Sequence, residues 1–464
     1  MATTTAAVPL LLALVLHLAG QRARAASGAG EAGFSVEFIH RDSHRSPFRD
    51  PAPLSPHART LAAARRSLAR ADVLAAAAPS GDGVESKIIS WSFEYLMYVY
   101  VGTPPTQMLA IADTGSDLVW VDCGNGSDSG GGRAPDARAA AGGVVFQPSN
   151  SSTYDVVGCQ AAACGALSLA SCDAASECQY QYSYGDGSRT IGVLSTETFS
   201  FVAGGGGGGG GDPQVSVPHV NFGCSTYMAG TFRSDGLVGL GGGALSLVSQ
   251  LGTATQFGRR FSYCLIPSYA ANNASSTLNF GARAVVSEPG AATTPLVPSD
   301  VDAYYTVELE SVTIAGGQTV ASSNATRIIV DSGTTLTFLD PALLQPLVAE
   351  LERRITLPRA QSPEKLLDLC YDVSGGRSSQ QDWGIPDVTL RFGGGGGDVT
   401  LRPENTFALV QEGTLCLLVV PVTEAQPVSI LGNIAQQNFH VGYDLDARTV
   451  TFAAADCTRS SASS

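Results

Sequence analysis

Leu109-Ala110-Ile111-Ala112-Asp113-Thr114-Gly115-Ser116 in the first half of the chain is echoed by Arg327-Ile328-Ile329-Val330-Asp331-Ser332-Gly333-Thr334 in the second. Each copy is an apolar run ending on an aspartate, a hydroxyl residue, a glycine and another hydroxyl residue. The run reads as a buried strand, and the glycine lets the chain turn tightly and approach other backbone closely. Downstream of each copy an apolar pair ends in glycine: Leu237-Val238-Gly239 and Ile430-Leu431-Gly432. One Asp-Thr-Gly alone usually shapes a loop or caps a helix. Two copies, in the same order and with the same sequel, mark a duplicated unit.

Around these anchors the 464 residues read as mainly β, with strands expected at 95–101, 108–112, 118–121, 179–184, 193–201, 261–265, 304–314, 327–330 and 388–392. Helices are few. One is expected at 244–251, and another begins at Asp340-Pro341, a capping acid before a first-turn proline, and runs to about residue 355. The chain exceeds one ordinary core, so two lobes are expected, at 84–290 and 291–464. The glycine runs 204–211 and 393–397 read as hairpin tips without chemistry of their own.

The segment before the first lobe has its own composition. Residues 8–18 are uncharged and apolar, and Ala23-Arg24-Ala25 follows with small residues at the positions favoured for cleavage, so residues 1–25 read as a signal peptide. At roughly half of the ~20 apolar residues needed to span a bilayer, that stretch is too short for a membrane anchor. Residues 26–83 concentrate Arg41, Arg45, Arg49, Arg59, Arg65, Arg66 and Arg70 and lack cysteine. Within them Leu61, Leu68 and Leu74 share one side of an alanine-rich helix. Charge complementarity makes this a basic prosegment expected to lie across an acidic cleft.

Ten cysteines fit an oxidising compartment and permit five disulfides, whereas no histidine near the closest cysteine pairs completes a zinc site. Sequons at Asn125, Asn150, Asn273 and Asn324 agree with a secretory route. A net charge of −14 disfavours nucleic acid, which needs clustered Lys and Arg. The segment Gly239-Leu-Gly-Gly-Gly-Ala mimics a dinucleotide fingerprint, but no Asp or Glu falls between Gly236 and Ser287 to take a ribose. No Gly-X-Ser-X-Gly elbow is present, and the six histidines are scattered. No metal and no cofactor is expected.

If the two units pair about a pseudo-twofold axis, Asp113 and Asp331 face each other across a cleft. Two such carboxyls cannot both ionise easily and share one proton, as the paired carboxyls of aspartic proteases do. The ionised member then serves as general base to a water while the other polarises a carbonyl, with no metal or covalent intermediate.

From residue 34 to Cys457 the chain resembles the pepsin-like aspartic peptidases, specifically the nepenthesin-like group of plants. The motifs are Asp113-Thr-Gly-Ser-Asp-Leu-Val-Trp, Tyr184-Gly-Asp-Gly-Ser, Asp331-Ser-Gly-Thr-Thr and Ile430-Leu-Gly-Asn, with Phe34-Ser-Val-Glu-Phe-Ile-His-Arg-Asp-Ser in the prosegment. The resemblance implies a bilobal β fold, a polypeptide substrate, sensitivity to pepstatin-type inhibitors, and a zymogen restrained by its own prosegment. It implies that Tyr184 tips a β-hairpin flap with Trp120 bonded to its hydroxyl, and that Ser116 and Thr334 steady the carboxylates beside Gly115 and Gly333. It carries over the pairs Cys159–Cys178, Cys164–Cys172, Cys264–Cys457 and Cys370–Cys416. Relatives have three cysteines soon after the first motif and this chain only Cys123, which leaves Cys123–Cys224 as the fifth pair. A secreted monomer is expected, extracellular (apoplast) rather than vacuolar. The rival is a silent binding or inhibitor protein on the same fold, and the intact pair of motifs argues for the enzyme.

Overall fold

The computed structural model describes residues 33–49, 55–76, 95–124, 143–184, 187–202, 214–230, 232–267, 275–316, 319–375, 383–423 and 427–458. The expected signal peptide and the sequons Asn125 and Asn273 lie outside these residues, as does the glycine run 204–211. Asn150 is exposed on the short turn Pro148–Asn150. The backbone of Asn324 lies in the strand Thr319–Val330.

Strands dominate, in the two-lobed arrangement expected. Among the described residues the largest sheet has 15 strands and takes in Ala292–Pro295, Phe439–Asp444 and Thr449–Ala454 from the second half, whose other strands form sheets of seven and four. Alternation of apolar and polar residues accounts for most of them: Cys178–Ser183 buries every second side chain, as a half-covered strand does. Thr106–Asp113 is instead buried along nearly its whole length, because it lies inside the large sheet.

The two repeats occupy equivalent places. Thr106–Asp113 pairs in parallel with Gly236–Gly239, which sets Gly239 beside Asp113 and pairs Leu237 with Trp120 of Trp120–Asp122. In the second half Thr319–Val330 pairs in parallel with Ser429–Leu431, and Ile430 pairs with Phe338 of Thr337–Leu339. A Cβ on Gly239 would collide with the Asp117 backbone, and one on Gly432 with the carbonyl of Leu336. That close approach explains why each apolar pair ends in glycine.

The basic leading segment is woven into the fold. Gly33–His40 is an inner strand between Ser276–Gly281 and Tyr95–Val101, and it buries Phe34, Val36, Phe38 and Ile39. The helix Pro56–Ala76 then packs on Phe407–Gln411, setting Leu61 and Ala64 among Ile329, Leu336, Val410 and Ile434, with Leu68 against the same cluster. Arg65 and Glu364 pair on the surface at 2.5 Å.

Of the two other helices longer than four residues among the described residues, Pro341–Arg354 starts where expected, with the Asp340 side chain accepting from the Ala342 N–H at 2.8 Å. The other is Leu247–Ala254, three residues later than its apolar pattern indicates, because Ser246 caps it by accepting from the Ser249 N–H.

Three of the five disulfides join the expected partners: Cys123–Cys224, Cys264–Cys457 and Cys370–Cys416. The other two correct the expectation of Cys159–Cys178 and Cys164–Cys172: the bonds are Cys159–Cys172 and Cys164–Cys178. Burial sorts them. Cys164, on the turn Ala162–Gly165, and Cys178, at the start of its strand, both lie in the core with Tyr180 and Leu194, whereas Cys159 is half-buried and Cys172 exposed. The inner sulfurs meet inside and the outer ones outside.

Candidate active site

Each repeat delivers its aspartate at the end of a buried strand and turns at once, so the next residues fold back over the carboxylate. Asp113 is fully buried; its Oδ1 accepts from the Gly115 N–H at 3.1 Å and its Oδ2 from the Ser116 hydroxyl at 2.5 Å. Asp331 is buried likewise and repeats the pattern, with the Gly333 N–H at 2.8 Å and the Thr334 hydroxyl at 2.6 Å. Gly115, Ser116, Gly333 and Thr334 each bond one of the two carboxylates, two by backbone and two by hydroxyl.

The turns also touch each other. The Thr114 hydroxyl accepts from the Ser332 N–H at 2.9 Å and lies 3.3 Å from Oδ1 of Asp331 and 3.1 Å from the Ser332 hydroxyl. The two motifs thus form one site although 218 residues separate Thr114 from Ser332. Neither motif by itself assigns these two residues a bond across the site. Their signal was present, since a hydroxyl residue follows the aspartate in each copy.

Supports reach the site from the short helix Asn433–Gln436. The Gln436 amide donates to the carbonyls of Asp331 and Leu431 at 3.1 and 2.8 Å, while its Oε1 accepts from the Tyr263 hydroxyl. Asn433 donates to the Ser332 carbonyl at 3.1 Å. Burial, then the charge of Asp113, pushes Asp331 up to about 7, and the bonds from Thr334, Gly333 and Thr114 only offset part of that rise. The carboxyl keeps its proton far above the ordinary range, as sharing between two close acids requires.

Tyr184 lies where a hairpin turns, between Cys178–Ser183 and Arg189–Val202, and Gly187 takes the positive φ of 76° that closes the turn. Its hydroxyl accepts from Trp120 Nε1 at 2.6 Å. Two readings of Tyr184, hairpin tip and aromatic core, hold together: its ring is only 4% exposed and packs edge-on against Phe232, with Tyr182 beside it. Phe232, which also meets Trp120 edge-on, was not foreseen and lies in no motif.

The arrangement offers two buried carboxyls with fixed donors, one of them with its pKa held up to about 7, and a hairpin bonded to Trp120. Among the described residues no three His, Cys, Asp or Glu side chains gather as a metal site.

Comparison with known proteins agrees with this geometry. Residues 95–282 match the family model described as xylanase inhibitor N-terminal, and residues 304–454 the one described as xylanase inhibitor C-terminal. A probable aspartic protease of Arabidopsis thaliana is 36% identical over 92% of this chain and 94% of its own. Aspartic proteinase nepenthesin-1 of Nepenthes gracilis is 33% identical over 92% of this chain and 90% of its own. Among solved structures, basic 7S globulin from soybean superposes with a TM-score of 0.59 at 20% identity, over 78% of this chain and 91% of that one, a likeness of fold.

Proposed function

The chain belongs to the pepsin-like aspartic protease family, and we propose that it is an aspartic-type endopeptidase that hydrolyses peptide bonds at acidic pH with Asp113 and Asp331. The observation that carries this is the Thr114 hydroxyl, which reaches the second turn and so brings both supported carboxyls into one buried site. One carboxyl, ionised, takes a proton from a water that attacks the scissile carbonyl carbon. The other donates its proton to the carbonyl oxygen, giving a neutral tetrahedral diol. Collapse of the diol breaks the C–N bond, the amine leaves with a proton from the pair, and the dyad returns to holding one proton.

Several finer points follow from the same proposal. The hairpin ending at Tyr184 closes over the substrate, oriented by its bond from Trp120. Residues 26–83 act as a prosegment. In favour of this, the helix Pro56–Ala76 packs on the cluster that backs the Asp331 turn, through Ile329 and Leu336. Five disulfides and the apolar residues 8–18 favour secretion.

The family models are named for xylanase inhibitors, so a silent binding protein is the competing reading. Intact carboxyls, glycines and supporting hydroxyls in both copies favour the enzyme. The deciding experiment incubates the purified full-length chain with a proteome-derived peptide library across acidic pH, with and without pepstatin. Cleavage that pepstatin abolishes is expected; intact peptides at every acidic pH, with the protein folded, would sink the proposal.

A further inference from the structure

Two buried tyrosines, one from each half of the chain, each reach across to the other half's catalytic turn. Tyr263 lies in the strand Arg260–Cys264, and its hydroxyl donates to Gln436 Oε1 at 2.5 Å. The direction is fixed. The Gln436 amide nitrogen is spent on the carbonyls of Asp331 and Leu431, so its oxygen faces Tyr263 and can only accept. With its one proton so used, Tyr263 accepts from the Tyr443 hydroxyl, 2.7 Å away. A directed chain of bonds therefore runs from Tyr443 through Tyr263 and Gln436 to the carbonyl of Asp331.

Tyr305, immediately before the strand Thr306–Ile314, makes the opposite crossing. Its own carbonyl accepts at 2.9 Å from the N–H of Val330, the residue before Asp331, while its hydroxyl donates to the Leu240 carbonyl at 2.6 Å. The Leu240 N–H in turn donates to the Asp113 carbonyl at 2.8 Å. The two arms meet at Tyr443, whose ring lies 4.5 Å from that of Tyr305 between centres and is stacked at 4.5 Å on Phe261. All five side chains, Gln436 included, are fully buried. Packing alone asks for no hydroxyl, as Phe261 shows, yet Tyr263 and Tyr305 each spend theirs on a group that adjoins a catalytic turn. Burial pushes the three phenols well above their ordinary value, so each keeps the proton it donates through acid and neutral pH.

We infer that Tyr263 and Tyr305 are positioning residues that yoke the two catalytic turns to one aromatic hub, Tyr263 holding the Asp331 turn through Gln436 and Tyr305 holding the Asp113 turn through Leu240. The Thr114 hydroxyl ties the turns to each other by their own residues. The yoke holds the backbone of each aspartate from outside the motifs. As a statement about catalysis this rests on the peptidase assignment; as a statement about the two turns it does not.

Tyr263→Phe and Tyr305→Phe each remove one hydroxyl and keep the ring. Hydrogen exchange of the full-length chain is followed by mass spectrometry on peptides that span each turn, and kcat and KM are measured alongside. A crossed pattern is expected: Tyr263→Phe speeds exchange around Asp331 by about fivefold or more and leaves the Asp113 turn near wild type, and Tyr305→Phe does the reverse. Each is expected to lower kcat about tenfold with KM within about twofold of wild type. Tyr95→Phe tests for a merely structural role, because it removes a buried hydroxyl of the same kind, bonded to the Ile266 carbonyl at 3.1 Å and outside the yoke. It is expected to lower stability while kcat stays within about twofold. Gln436→Met keeps the length of the side chain, loses the amide, and is expected to reproduce the Tyr263→Phe pattern; it decides if Tyr263→Phe does not fold. Exchange that quickens equally at both turns, or at neither, overturns the inference, and so does a kcat that falls no further than in Tyr95→Phe. Exchange is read without turnover, so the crossed pattern in a chain that cuts no peptide overturns the peptidase assignment alone.

Discussion

Asp113 and Asp331 owe their chemistry to what surrounds them. A carboxyl on the surface ionises in mild acid, but here each lies in a turn whose glycine N–H and hydroxyl hold one ionised carboxylate well while burial forbids two. Exchanging either acid for amide removes an ionisable carboxyl and turns an NH2 group toward one of its two donors in place of an oxygen. Asp113→Asn and Asp331→Asn are each expected to lower kcat by about a hundredfold to ten-thousandfold while circular dichroism stays that of wild type. Turnover near the wild-type rate in either variant would show the dyad to be misassigned. Asp331→Asn carries a second signature. Because Asp331 is held at about 7, above the ordinary 3.8, its proton stabilises the folded chain in acid, and that contribution disappears as pH climbs through neutrality. The variant is expected to show a shallower fall of unfolding temperature between acid and neutral pH.

At the scale of elements, the repeated strand and turn were legible because two signals coincide in both halves: an apolar run too continuous for a half-exposed strand, and the turn sequence of aspartate, hydroxyl residue, glycine and hydroxyl residue that ends it. The strands Tyr95–Val101 and Val388–Phe392 fall where alternation places them. Leu247–Ala254 starts later than its apolar pattern indicates because Ala244 and Leu245 extend that pattern, and only the Ser246 side chain, bonded to the Ser249 N–H, marks the boundary. The cysteine pairs failed for a related reason. Spacing among Cys159, Cys164, Cys172 and Cys178 is short enough for any pairing, and the choice depends on which sulfurs face the core. Non-reducing digestion and mass mapping are expected to recover Cys159 linked to Cys172 and Cys164 linked to Cys178; recovery of Cys159–Cys178 would restore the pairing carried over from relatives. Thr114 and Ser332 escaped because a bond between two turns belongs to neither turn's sequence.

For the whole molecule, composition marked the basic leader as separable, and charge does set it apart. Its strand nonetheless lies inside the large sheet, because Phe34-Ser35-Val36-Glu37-Phe38-Ile39 has the apolar content of a core strand despite the arginines that follow. Phe38 is fully buried and stacks on Tyr95 at 5.1 Å between ring centres, with Tyr263 nearby. Phe38→Ala is expected to destabilise the full-length chain by about 3–5 kcal/mol, seen as a lower midpoint in urea unfolding followed by tryptophan fluorescence. An unchanged midpoint would mean that this strand contributes nothing to global stability.

Placement of that strand also bears on how the chain folds as it is synthesised. The strand Gly33–His40 must wait for one of its two partners: Ser35 bonds across to Asn279, 244 residues further on, and beyond them Arg260–Cys264 pairs with Phe439–Asp444. Such distant pairings carry a large loop-closure cost and fold slowly. One edge of the apolar leader meets Tyr95–Val101 early, the other stays open until Ser276–Gly281 is made, and Arg41, Arg45 and Arg49 beside it are charges of the kind that keep an open edge soluble and out of other sheets.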